Sequence, residues 1–531
     1  MAANKHHPDA VNAGPSEVQE DIYQAEGGSV AENSDSDAIT EQLEVIFDQH
    51  QSQRRRASLV ESNTRPKRPT AYRKRTTCFV HALLEGKKSG NWTPSQEGLA
   101  LNRPADKSIP TVEEEDSMNS HTQSRLLTKN QLSDMAFGIR ELSKKLGHLR
   151  LLLKVRNVFL LTKVHDKSVI SKTRELTQWL LRQKNSEGND YIVWVEDTMK
   201  TNKSFDHESI IRQNPDSYTD RLKYWNNELC NKKPHTFEIC VALGGDGTIL
   251  YASWLFQRIV PPVMSFALGS LGFLTKFDFA KYPEILERAF REGVTVSLRL
   301  RFEGTVMRSR PRDTDEAQHS RDLVDEVIGS DCDNVDTHFP AFTQNILNDI
   351  VIDRGPNPTM SSIEVFGDDE HFTTVQADGV CVATPTGSTA YNLAAGGSLC
   401  HPDNPVILVT AIAPHTLSFR PIILPDTIVL RIGVPYDARA SCWASFDGRE
   451  RWASELIPPI YLLSRVLILY PRSELKPGDY VTISASRYPF PSVLPLDRRT
   501  EDWVDSISRT LNWNNRQRQK AFDKDARSKD C

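Results

Sequence analysis

Apolar and polar residues alternate in blocks through the middle of the chain. Four short, mostly apolar runs indicate buried parallel strands, at residues 157–164, 191–195, 237–243 and 262–268. Helical periods lie between and after these runs. Residues 169–181 form one such period, and the clearest is the apolar stripe over 282–290. Alternating strands and helices predict a right-handed α/β layer over residues 126–300.

The pattern changes after the α/β layer. Residues 301–340 are polar and acidic without a strong period, which predicts a long surface loop. Residues 341–486 contain short alternating strands separated by turn signals, which is typical of an all-β domain. Within 487–531 a helical spacing predicts a C-terminal helix that packs back on the body before a basic tail. The apolar residues that carry this spacing are Trp503, Val504, Ile507 and Leu511.

The first 125 residues differ in composition from the rest of the chain. Only 38% of the 531 residues are hydrophobic, and the shortage is concentrated in this segment, which is rich in Ser, Glu, Asp, Lys, Asn and Pro. Such a segment cannot bury enough surface to offset its ordering entropy, so we predict a disordered, regulatory or inert arm over residues 1–125. Three arginines at 54–56 precede Ser58, which predicts a phosphorylation site at Ser58; a solvated basic patch is the alternative interpretation.

Charge and cysteine content indicate which partners and which cellular compartment to expect. The chain has 65 basic and 70 acidic residues, so it lacks the basic bias that marks a nucleic-acid-binding protein. Its eight cysteines are scattered without a C-x-x-C pair and indicate thiols of a reducing compartment. No apolar run is long enough to span a membrane, and the start lacks the apolar core of a signal peptide. We therefore predict a cytoplasmic protein without a nucleic-acid or membrane partner.

A Gly-Gly-Asp-Gly-Thr motif at 244–248 lies between an apolar strand and a helical run. Glycines there let backbone N–H groups approach phosphate oxygens, and the helix N-terminus adds partial positive charge. The carboxylate of Asp246 would repel those phosphates, which suggests a chemical task for it. A tight turn with Asp246 as helix N-cap is the alternative. A dinucleotide-binding G-x-G-x-x-G needs glycine at Leu250, and a Walker A motif is absent.

Three further segments contain candidate binding residues. The run at 376–397 combines small, hydroxyl-bearing and flexible residues with Tyr391, as a nucleotide pocket would, although a linker between strands is the alternative. Asn348 and Asp349 interrupt an apolar strand. Either a ligand supplies their hydrogen-bond partners, or one side chain points inward and the other outward at a strand end. Asp447 precedes a glycine, a pair that is usually a hairpin turn.

Taken together, these segments closely resemble the NAD kinase family, and specifically its eukaryotic, cytosolic members. The resemblance spans roughly residues 140–515. The segments that carry it are 244–248, 269–274 (Gly-Ser-Leu-Gly-Phe-Leu), 348–349, 378–379, 384–391, 414–421 (Pro-His-Thr-Leu-Ser-Phe-Arg-Pro), 445–449 (Ser-Phe-Asp-Gly-Arg) and 502–514. A Gly-Gly-Asp-Gly loop alone also occurs in lipid kinases and phosphofructokinases, whereas the ordered series is specific.

The resemblance implies a phosphofructokinase-like α/β domain, with a Rossmann-like layer, followed by an all-β, sandwich-like domain. It implies that ATP, with a divalent metal such as Mg²⁺, phosphorylates the 2′-hydroxyl of the adenosine ribose of NAD in the cleft between them. It also implies a homo-oligomer. By resemblance Asp246 is the catalytic base, and phosphate contacts fall on Gly244, Gly245, Gly247 and Thr248. The implied dinucleotide contacts are Asp246, Gly247, Asn348, Asp349, Asp378, Thr389, Ala390, Tyr391 and Asp447.

Two positions depart from the family pattern. The family usually has Asn-Glu where this chain has Asn348 and Asp349, and Ala394 stands where some relatives have serine. Two other functions remain open on the sequence. A non-catalytic NAD(P) sensor would bind the dinucleotide without turnover. A lipid kinase could share the Gly-Gly-Asp-Gly loop but is expected to lack the 384–391 series.

Overall fold

Three β-sheets organise the residues described by the computed structural model, which are 123–162, 167–185, 188–311, 321–328, 337–448, 472–495 and 501–513. The strands are β1 (Asn157–Thr162), β2 (Ile192–Glu196), β3 (Leu222–Trp225), β4 (Ile239–Leu243), β5 (Val263–Ala267), β6 (Phe277–Asp278), β7 (Thr295–Arg299), β8 (Phe302–Ser309), β9 (His338–Ile346), β10 (Asp349–Asp353), β11 (Ser361–Gly367), β12 (Glu370–Ala377), β13 (Gly379–Ala383), β14 (Val406–Ile412), β15 (Ile422–Pro425), β16 (Leu430–Gly433), β17 (Cys442–Phe446), β18 (Arg472–Leu475), β19 (Tyr480–Ala485) and β20 (Phe490–Leu494).

Helices cover the first sheet and connect its strands. The α-helices are α1 (Lys129–His148), α2 (Lys167–Arg182), α3 (His207–Gln213), α4 (Pro215–Arg221), α5 (Asn227–Lys232), α6 (Asp246–Leu255), α7 (Tyr282–Glu292), α8 (Leu323–Ile328), α9 (Tyr391–Ala394) and α10 (Glu501–Leu511). Short 3₁₀ turns occur at Ser124–Leu126, Asp197–Thr201, Pro234–Thr236, Phe279–Lys281 and Thr386–Thr389. The helices predicted at 169–181 and 282–290 correspond to α2 and α7.

The first sheet has eight strands among the described residues, in the order β3-β2-β1-β4-β5-β20-β7, with β6 paired to β5. Strands β1 to β5 run parallel to their neighbours. All five residues of β4 are buried: Ile239, Val241 and Leu243 face one core cluster, and Cys240 and Ala242 face the other. The sheet is therefore covered on both faces. Strand order reverses between β1 and β4, and ligands bind sheets of this type in the crevice at such a switch point.

Two six-stranded antiparallel sheets form the second domain among the described residues. Their orders are β15-β14-β13-β10-β17-β18 and β12-β11-β16-β19-β8-β9. One buried cluster between them takes side chains from both, for example Ile350, Val380 and Phe446 from the first and Ile363 and Ile483 from the second. The predicted fold class, an α/β layer followed by an all-β sandwich-like domain, is confirmed.

Two predicted segments are wrong in part. Residues 301–340 contain the interior strand β8, which pairs with β19 and β9, and the helix α8, whose Leu323 and Val327 are buried. Residues 490–494 form β20, parallel to β5 and antiparallel to β7, where the sequence predicts only a helix and tail. Both strands pair with residues distant in sequence, so local periodicity does not reveal them.

The predicted N-terminal arm mostly lies outside the described residues, as does Ser58. The last residues of the predicted arm, from 123 onward, are described. Ser124 is buried, and its N–H and hydroxyl donate to the carboxylate of Glu303 at 2.7 and 3.4 Å. Helix α10 lies where the spacing of Trp503 and Ile507 predicts it. Within the described part of the chain, we find no helix with the length and apolarity needed to cross a bilayer.

Candidate active site

The glycine loop lies at the carboxyl end of β4, in the crevice of the α/β sheet. Gly244 and Gly245 connect β4 to α6, which begins at Asp246 with Gly245 as its N-cap. Several N–H groups at the start of a helix have no intrahelical acceptor, and the helix dipole gives this end a partial positive charge. The start of α6, with Gly247 exposed and Thr248 buried, can therefore bind phosphate oxygens.

The carboxylate of Asp246 holds a neighbouring segment, which we call the anchor loop (residues 271–275). Oδ1 accepts hydrogen bonds from the N–H groups of Leu274 (3.0 Å) and Thr275 (3.1 Å) and from the Thr275 hydroxyl (3.2 Å). Oδ2 accepts one, from the N–H of Phe273 at 2.9 Å. Each carboxylate oxygen can accept about two hydrogen bonds, so Oδ2 keeps acceptor capacity for a substrate hydroxyl.

Gly272 explains why the anchor loop can approach Asp246 so closely. A Cβ at Gly272 would lie 2.3 Å from Asp246 Oδ1 and 2.8 Å from Thr275 Oγ1, both far inside van der Waals contact. The N–H of Gly272 donates to that same Thr275 oxygen at 2.8 Å. Only glycine leaves the Asp246 carboxylate in its observed place.

Arg301 holds the other end of α6. Its guanidinium donates to the carbonyl oxygens of Ser253 (3.2 Å), Phe256 (2.9 Å) and Gln257 (2.8 Å), and also to that of Tyr488 (2.6 Å). The side chain is fully buried. A cation at the C-terminal end of a helix complements the helix dipole. Arg301 therefore fixes the helix whose first turn carries Asp246.

On the β domain, Leu347 and Asn348 connect β9 to β10, whose first residue is Asp349; we call residues 347–349 the Leu347 turn. The side-chain oxygen of Asn348 is buried and has no hydrogen-bond partner among the described residues. Asp349 is 4% exposed, and burial, followed by the charge of Asp447, raises the pKa of Asp349 to about 7. Buried polar groups without protein partners are typical of a ligand site.

Two residues hold this turn from opposite sides. Asp447 accepts hydrogen bonds from the N–H groups of all three turn residues. Thr384 binds the carbonyl side: its hydroxyl donates to Leu347 O at 2.5 Å and its N–H to Asn348 O at 2.8 Å. Gly387 lies so close that a Cβ there would be 2.1 Å from Asn348 O. The 384–391 series thus packs directly on the turn.

Tyr391 begins α9 beside this turn and is 45% exposed. Burial raises the pKa of Tyr391, and the negative charges of Asp353, Asp349 and Asp378 raise it further. Asp378 is paired with Arg354, with 3.0 Å between Oδ1 and Nε. The carboxylates of Asp349 and Asp378 therefore act electrostatically on Tyr391.

The remaining predicted contacts lie in the same segment. Thr389 is half-buried, and its hydroxyl donates to the carbonyl of Thr386 at 3.4 Å. Ala390, which precedes α9, donates its N–H to the carbonyl of Gly387 at 2.9 Å. Both residues lie in sequence between Gly387, which packs against the Asn348 carbonyl, and Tyr391.

Two features connect the two halves of the site. Leu347 is fully buried in the same core cluster as Ile249 and Ala252 of α6. From α10, Arg509 donates to the carbonyls of Leu271 and Gly272 at 3.4 Å, and the Trp503 ring contacts His401 of the β domain at 5.2 Å between centroids. No hydrogen bond within the described part of the chain joins Asp246 to the Leu347 turn directly.

Several residues of this site escape sequence reasoning. Arg301 lies in an Arg-Leu-Arg-Phe run that reads as a polar interruption between strands. Thr384 and Gly387 belong to the series at 384–391, but nothing in the sequence shows that they lock the Leu347 turn. Gly272 could have been found from the sequence, because glycine occurs twice within the 269–274 motif.

Comparisons with known proteins agree with this geometry. Residues 158–294 match the ATP-NAD kinase N-terminal domain, and residues 347–456 match the ATP-NAD kinase C-terminal domain. The NAD(+) kinase of Saccharomyces cerevisiae is 40% identical over 395 residues, covering 74% of this chain and 67% of that protein. An uncharacterized kinase of Schizosaccharomyces pombe is 40% identical over 401 residues, 75% of this chain and 90% of that protein.

A solved structure is also similar. The crystal structure of yeast NADH kinase complexed with NADH matches with a TM-score of 0.51 and 27% identity, covering 69% of this chain and 90% of that one. The two family-model matches, at 158–294 and 347–456, include the glycine loop, the Leu347 turn and the run that contains Tyr391. These findings confirm the resemblance that the motifs predict, and the chain belongs to the ATP-NAD kinase family.

Proposed function

We propose that this protein transfers the γ-phosphoryl group of ATP to the 2′-hydroxyl of the adenosine ribose of NAD, giving NADP and ADP. The observation that carries this proposal is the combination of a glycine loop at the start of α6 with a β-domain turn whose Asn348 side-chain oxygen has no hydrogen-bond partner among the described residues. The first can hold phosphates, and the second can hold a polar ligand such as the ribose and its hydroxyls. Membership of the ATP-NAD kinase family supports the same activity.

In the proposed reaction, the 2′-oxygen forms a bond to the γ-phosphorus as the bond to the β,γ-bridging oxygen breaks. ADP leaves, and the hydroxyl proton passes to Asp246. Phosphoryl transfer depends mainly on in-line positioning and charge stabilisation, because the nucleophile loses its proton late. The remaining acceptor capacity of Asp246 Oδ2 suits it to orient that hydroxyl, and the first turn of α6 stabilises phosphate charge.

The phosphate contacts are proposed at Gly244, Gly245, Gly247 and Thr248. The dinucleotide contacts are proposed at Asn348, Asp349, Asp378, Thr389, Ala390 and Tyr391, in addition to Asp246 and Gly247. The partial exposure of Tyr391 leaves its ring accessible to a base.

ATP is proposed to bring a divalent cation, Mg²⁺, with it. No group of three or more His, Cys, Asp or Glu side chains in the described ranges could hold a metal ion. Mg²⁺ in nucleotide-dependent enzymes is bound largely by substrate phosphates and water, with one or two carboxylates. When bound, it neutralises phosphate charge.

We also propose a homo-oligomer that assembles through the β domain. Ile423 lies on β15, at the edge of its sheet, and is 56% exposed; Leu417 nearby is 85% exposed. Apolar side chains at an unpaired sheet edge favour association. Light scattering of the purified chain tests this proposal, and a monomer would contradict it.

A cytoplasmic location is proposed from the cysteine chemistry. The cysteines that the structure describes are free thiols: Cys230, Cys240, Cys381, Cys400 and Cys442. Free thiols persist in reducing compartments.

The activity is tested by incubating the full chain with ATP and NAD and supplying the product to a strictly NADP-dependent dehydrogenase. Wild-type protein should support reduction, and NADH assayed beside NAD sets the preference. Asp246→Asn should lower turnover by about 100-fold or more while NAD still binds, the size expected for a positioned acid–base group. Near-wild-type turnover in Asp246→Asn would contradict its role, and NAD binding without any product would favour the sensor function.

A pair of glycine variants separates catalysis from folding. Gly272→Ala forces a methyl group against the Asp246 carboxylate, so we expect turnover to fall by about 10- to 100-fold, because small misplacements of a reacting group are costly. Gly269→Ala is the matched control, since a Cβ there meets nothing within 4 Å. Equal turnover in the two variants would show that the position of Asp246 does not limit the reaction. For the Asp246→Asn variant, the control is Asp216→Asn, which removes an exposed carboxylate at the start of α4.

A further inference from the structure

Asp447 has an unusual environment for a residue in an Asp-Gly turn. It follows β17 with a φ of +53°, a left-handed conformation that aspartate tolerates better than most residues. Its Oδ1 accepts hydrogen bonds from the N–H groups of Leu347 (3.2 Å), Asn348 (2.6 Å) and Asp349 (3.3 Å). Its Oδ2 accepts from Leu347 N–H at 2.9 Å. In return, the N–H of Asp447 donates to Asp349 O at 2.9 Å.

Three successive N–H groups directed at one anion form a concave backbone site of the kind that often binds phosphate or other anions. Here the protein's own carboxylate fills it. Because Asp447 satisfies the N–H groups of the turn, the side chains of Asn348 and Asp349 are not needed to hold their own backbone. The Asn348 side-chain oxygen, which has no hydrogen-bond partner in the part of the chain that the structure describes, is consistent with that division.

The carbonyl side of the same turn is fixed separately. Thr384 binds the carbonyls of Leu347 and Asn348, and Gly387 packs against the Asn348 carbonyl. The N–H groups of the turn donate to Asp447, and the carbonyls of Leu347 and Asn348 accept from Thr384. These bonds fix the orientation of the peptide groups in the turn. The conformation of the turn therefore depends on the Asp447 carboxylate.

We propose that Asp447 is a positioning residue for the dinucleotide, which places the Asn348 and Asp349 side chains by holding the backbone between them. The inference rests on the proposed function, because it takes those two side chains as dinucleotide contacts. It assigns Asp447 no contact of its own with the ligand, because both of its carboxylate oxygens accept from the backbone N–H groups of the turn.

Electrostatics give this role a separate signature. Burial raises the pKa of Asp447, while the three N–H groups and the charge of Arg301 act in the opposite direction. The Asp447 charge in turn contributes to the raised pKa of Asp349. Among the described residues with a resolved shift, the charge of Asp349 also raises the pKa of Cys381 on β13 and of Tyr391 on α9. Neutralising Asp447 should therefore lower the pKa of Asp349.

The test compares wild type with Asp447→Gly and Asp447→Asn. Glycine tolerates the positive φ and removes the carboxylate, whereas asparagine keeps the shape and one acceptor oxygen. We expect the KM and the Kd for NAD to rise about 10-fold or more in Asp447→Gly, and less in Asp447→Asn, with the KM for ATP within about twofold of wild type; tenfold corresponds to about 1.4 kcal/mol. We expect the NAD affinity of the wild type to change as Asp349 ionises near pH 7, and this change should occur at lower pH in Asp447→Asn.

Asp368→Gly is the matched control, because Asp368 also has a left-handed backbone (φ +54°) and binds a backbone N–H, that of Val429, in a hairpin away from the site. It should lower thermal stability without changing the KM for NAD. A purely structural role for Asp447 predicts that its variants behave like Asp368→Gly, and that result would overturn the inference. So would equal increases in KM for NAD and ATP.

Calorimetric titration with NAD keeps this test distinct from that of the proposed function. If the wild type binds NAD but forms no NADP, the proposed function fails, and the Kd values of the variants still decide the role of Asp447. If Asp447→Gly does not fold, Asp447→Asn decides it. A wild type that binds no NAD would overturn both.

Discussion

Asp349 is a carboxyl group held almost entirely out of water, beside a second carboxylate. Burial is the larger cause of its raised pKa and the charge of Asp447 the smaller, and together they bring that pKa to about 7. A group with such a pKa is largely protonated in mildly acidic solution and ionises near neutrality. It can therefore donate a hydrogen bond to a ligand at one pH and only accept one at a higher pH.

This environment makes a prediction about stability. In the unfolded chain Asp349 ionises near its ordinary pKa of 3.8, whereas in the folded protein it keeps its proton up to about pH 7. Between these values the folded state binds more protons, so the contribution of Asp349 to stability is full below the lower pKa and is lost as pH rises through the higher one. Asp349→Asn removes this dependence. Its free energy of unfolding should gain on wild type by at most about 1.4 kcal/mol per pH unit across that window.

Denaturant unfolding of both proteins at pH 5, 6, 7 and 8 measures the difference. Asp216→Asn, an exposed carboxylate, serves as the control and should show no such trend. A difference between wild type and Asp349→Asn that is constant with pH would mean that Asp349 is already ionised in the folded protein at pH 5.

Helix α6 shows at the scale of one element how the fold holds a reactive group. Its N-terminal turn carries Asp246 and the phosphate-binding N–H groups, and its C-terminal end is held by Arg301. Its apolar side chains, such as Ile249 and Ala252, pack in the same cluster as Leu347 of the β domain. The helix is thus fixed at both ends and along one face, which limits the freedom of Asp246 relative to the β domain.

Arg301 can be tested directly. Arg301→Ala removes a donor from each of four carbonyl oxygens. Those of Ser253 and Gln257 keep a second donor, from the side chains of Gln257 and Asn345, whereas those of Phe256 and Tyr488 lose the guanidinium donor, and a buried group left unsatisfied costs about 1–3 kcal/mol. We expect a loss of several kcal/mol in the free energy of unfolding and a fall in turnover. Arg301→Lys, which keeps the charge but cannot reach four acceptors, should be intermediate.

Arg212→Ala is the control, because Arg212 forms an exposed ion pair with Glu208 that should contribute little. Denaturant unfolding followed by circular dichroism gives the three free energies. If Arg301→Ala were as stable as Arg212→Ala, the bonds at the end of α6 would not be a source of stability.

At the scale of the whole molecule, the chain crosses between its layers several times. After the β domain it returns to the first sheet as β20, and then as α10, whose Arg509 contacts the anchor loop. At the other end of the described chain, Ser124 reaches Glu303 on β8, inside the β domain. Burial raises the pKa of Glu303, and the hydrogen bonds from Ser124 and Arg125 oppose that increase, so these donors stabilise the carboxylate.

Two N-terminal deletions separate the arm from this contact. Deleting residues 1–122 should leave turnover and thermal stability close to wild type. Deleting residues 1–128 removes the donors to Glu303, and leaving a buried carboxylate without them costs about 1–3 kcal/mol or more. The second protein should therefore melt at a temperature several degrees lower. Loss of activity in a soluble 1–122 deletion would show that the arm takes part in catalysis. Equal melting temperatures for the two deletions would show that the Ser124–Glu303 contact does not stabilise the protein.

Local patterns of the sequence were enough for the fold class and for many of the elements. The runs at 157–164, 237–243 and 262–268 correspond to β1, β4 and β5, because buried strands and amphipathic helices leave periods that can be read within one segment. The Gly-Gly-Asp-Gly loop and the Asn348–Asp349 pair were also visible, since each breaks its local pattern. Their assigned roles in binding and catalysis remain predictions.

Tertiary structure alone decided which distant groups meet. It placed β8 and β20 inside sheets, where the predictions had a loop and a tail, because their partners lie far away along the chain. It showed that Asp246 binds the anchor loop and that Asp447 holds the Leu347 turn, contacts that span 27 or more residues and leave no periodic trace. Periodicity records which face of an element is buried, and hydrogen-bond partners are set only when those faces pack together.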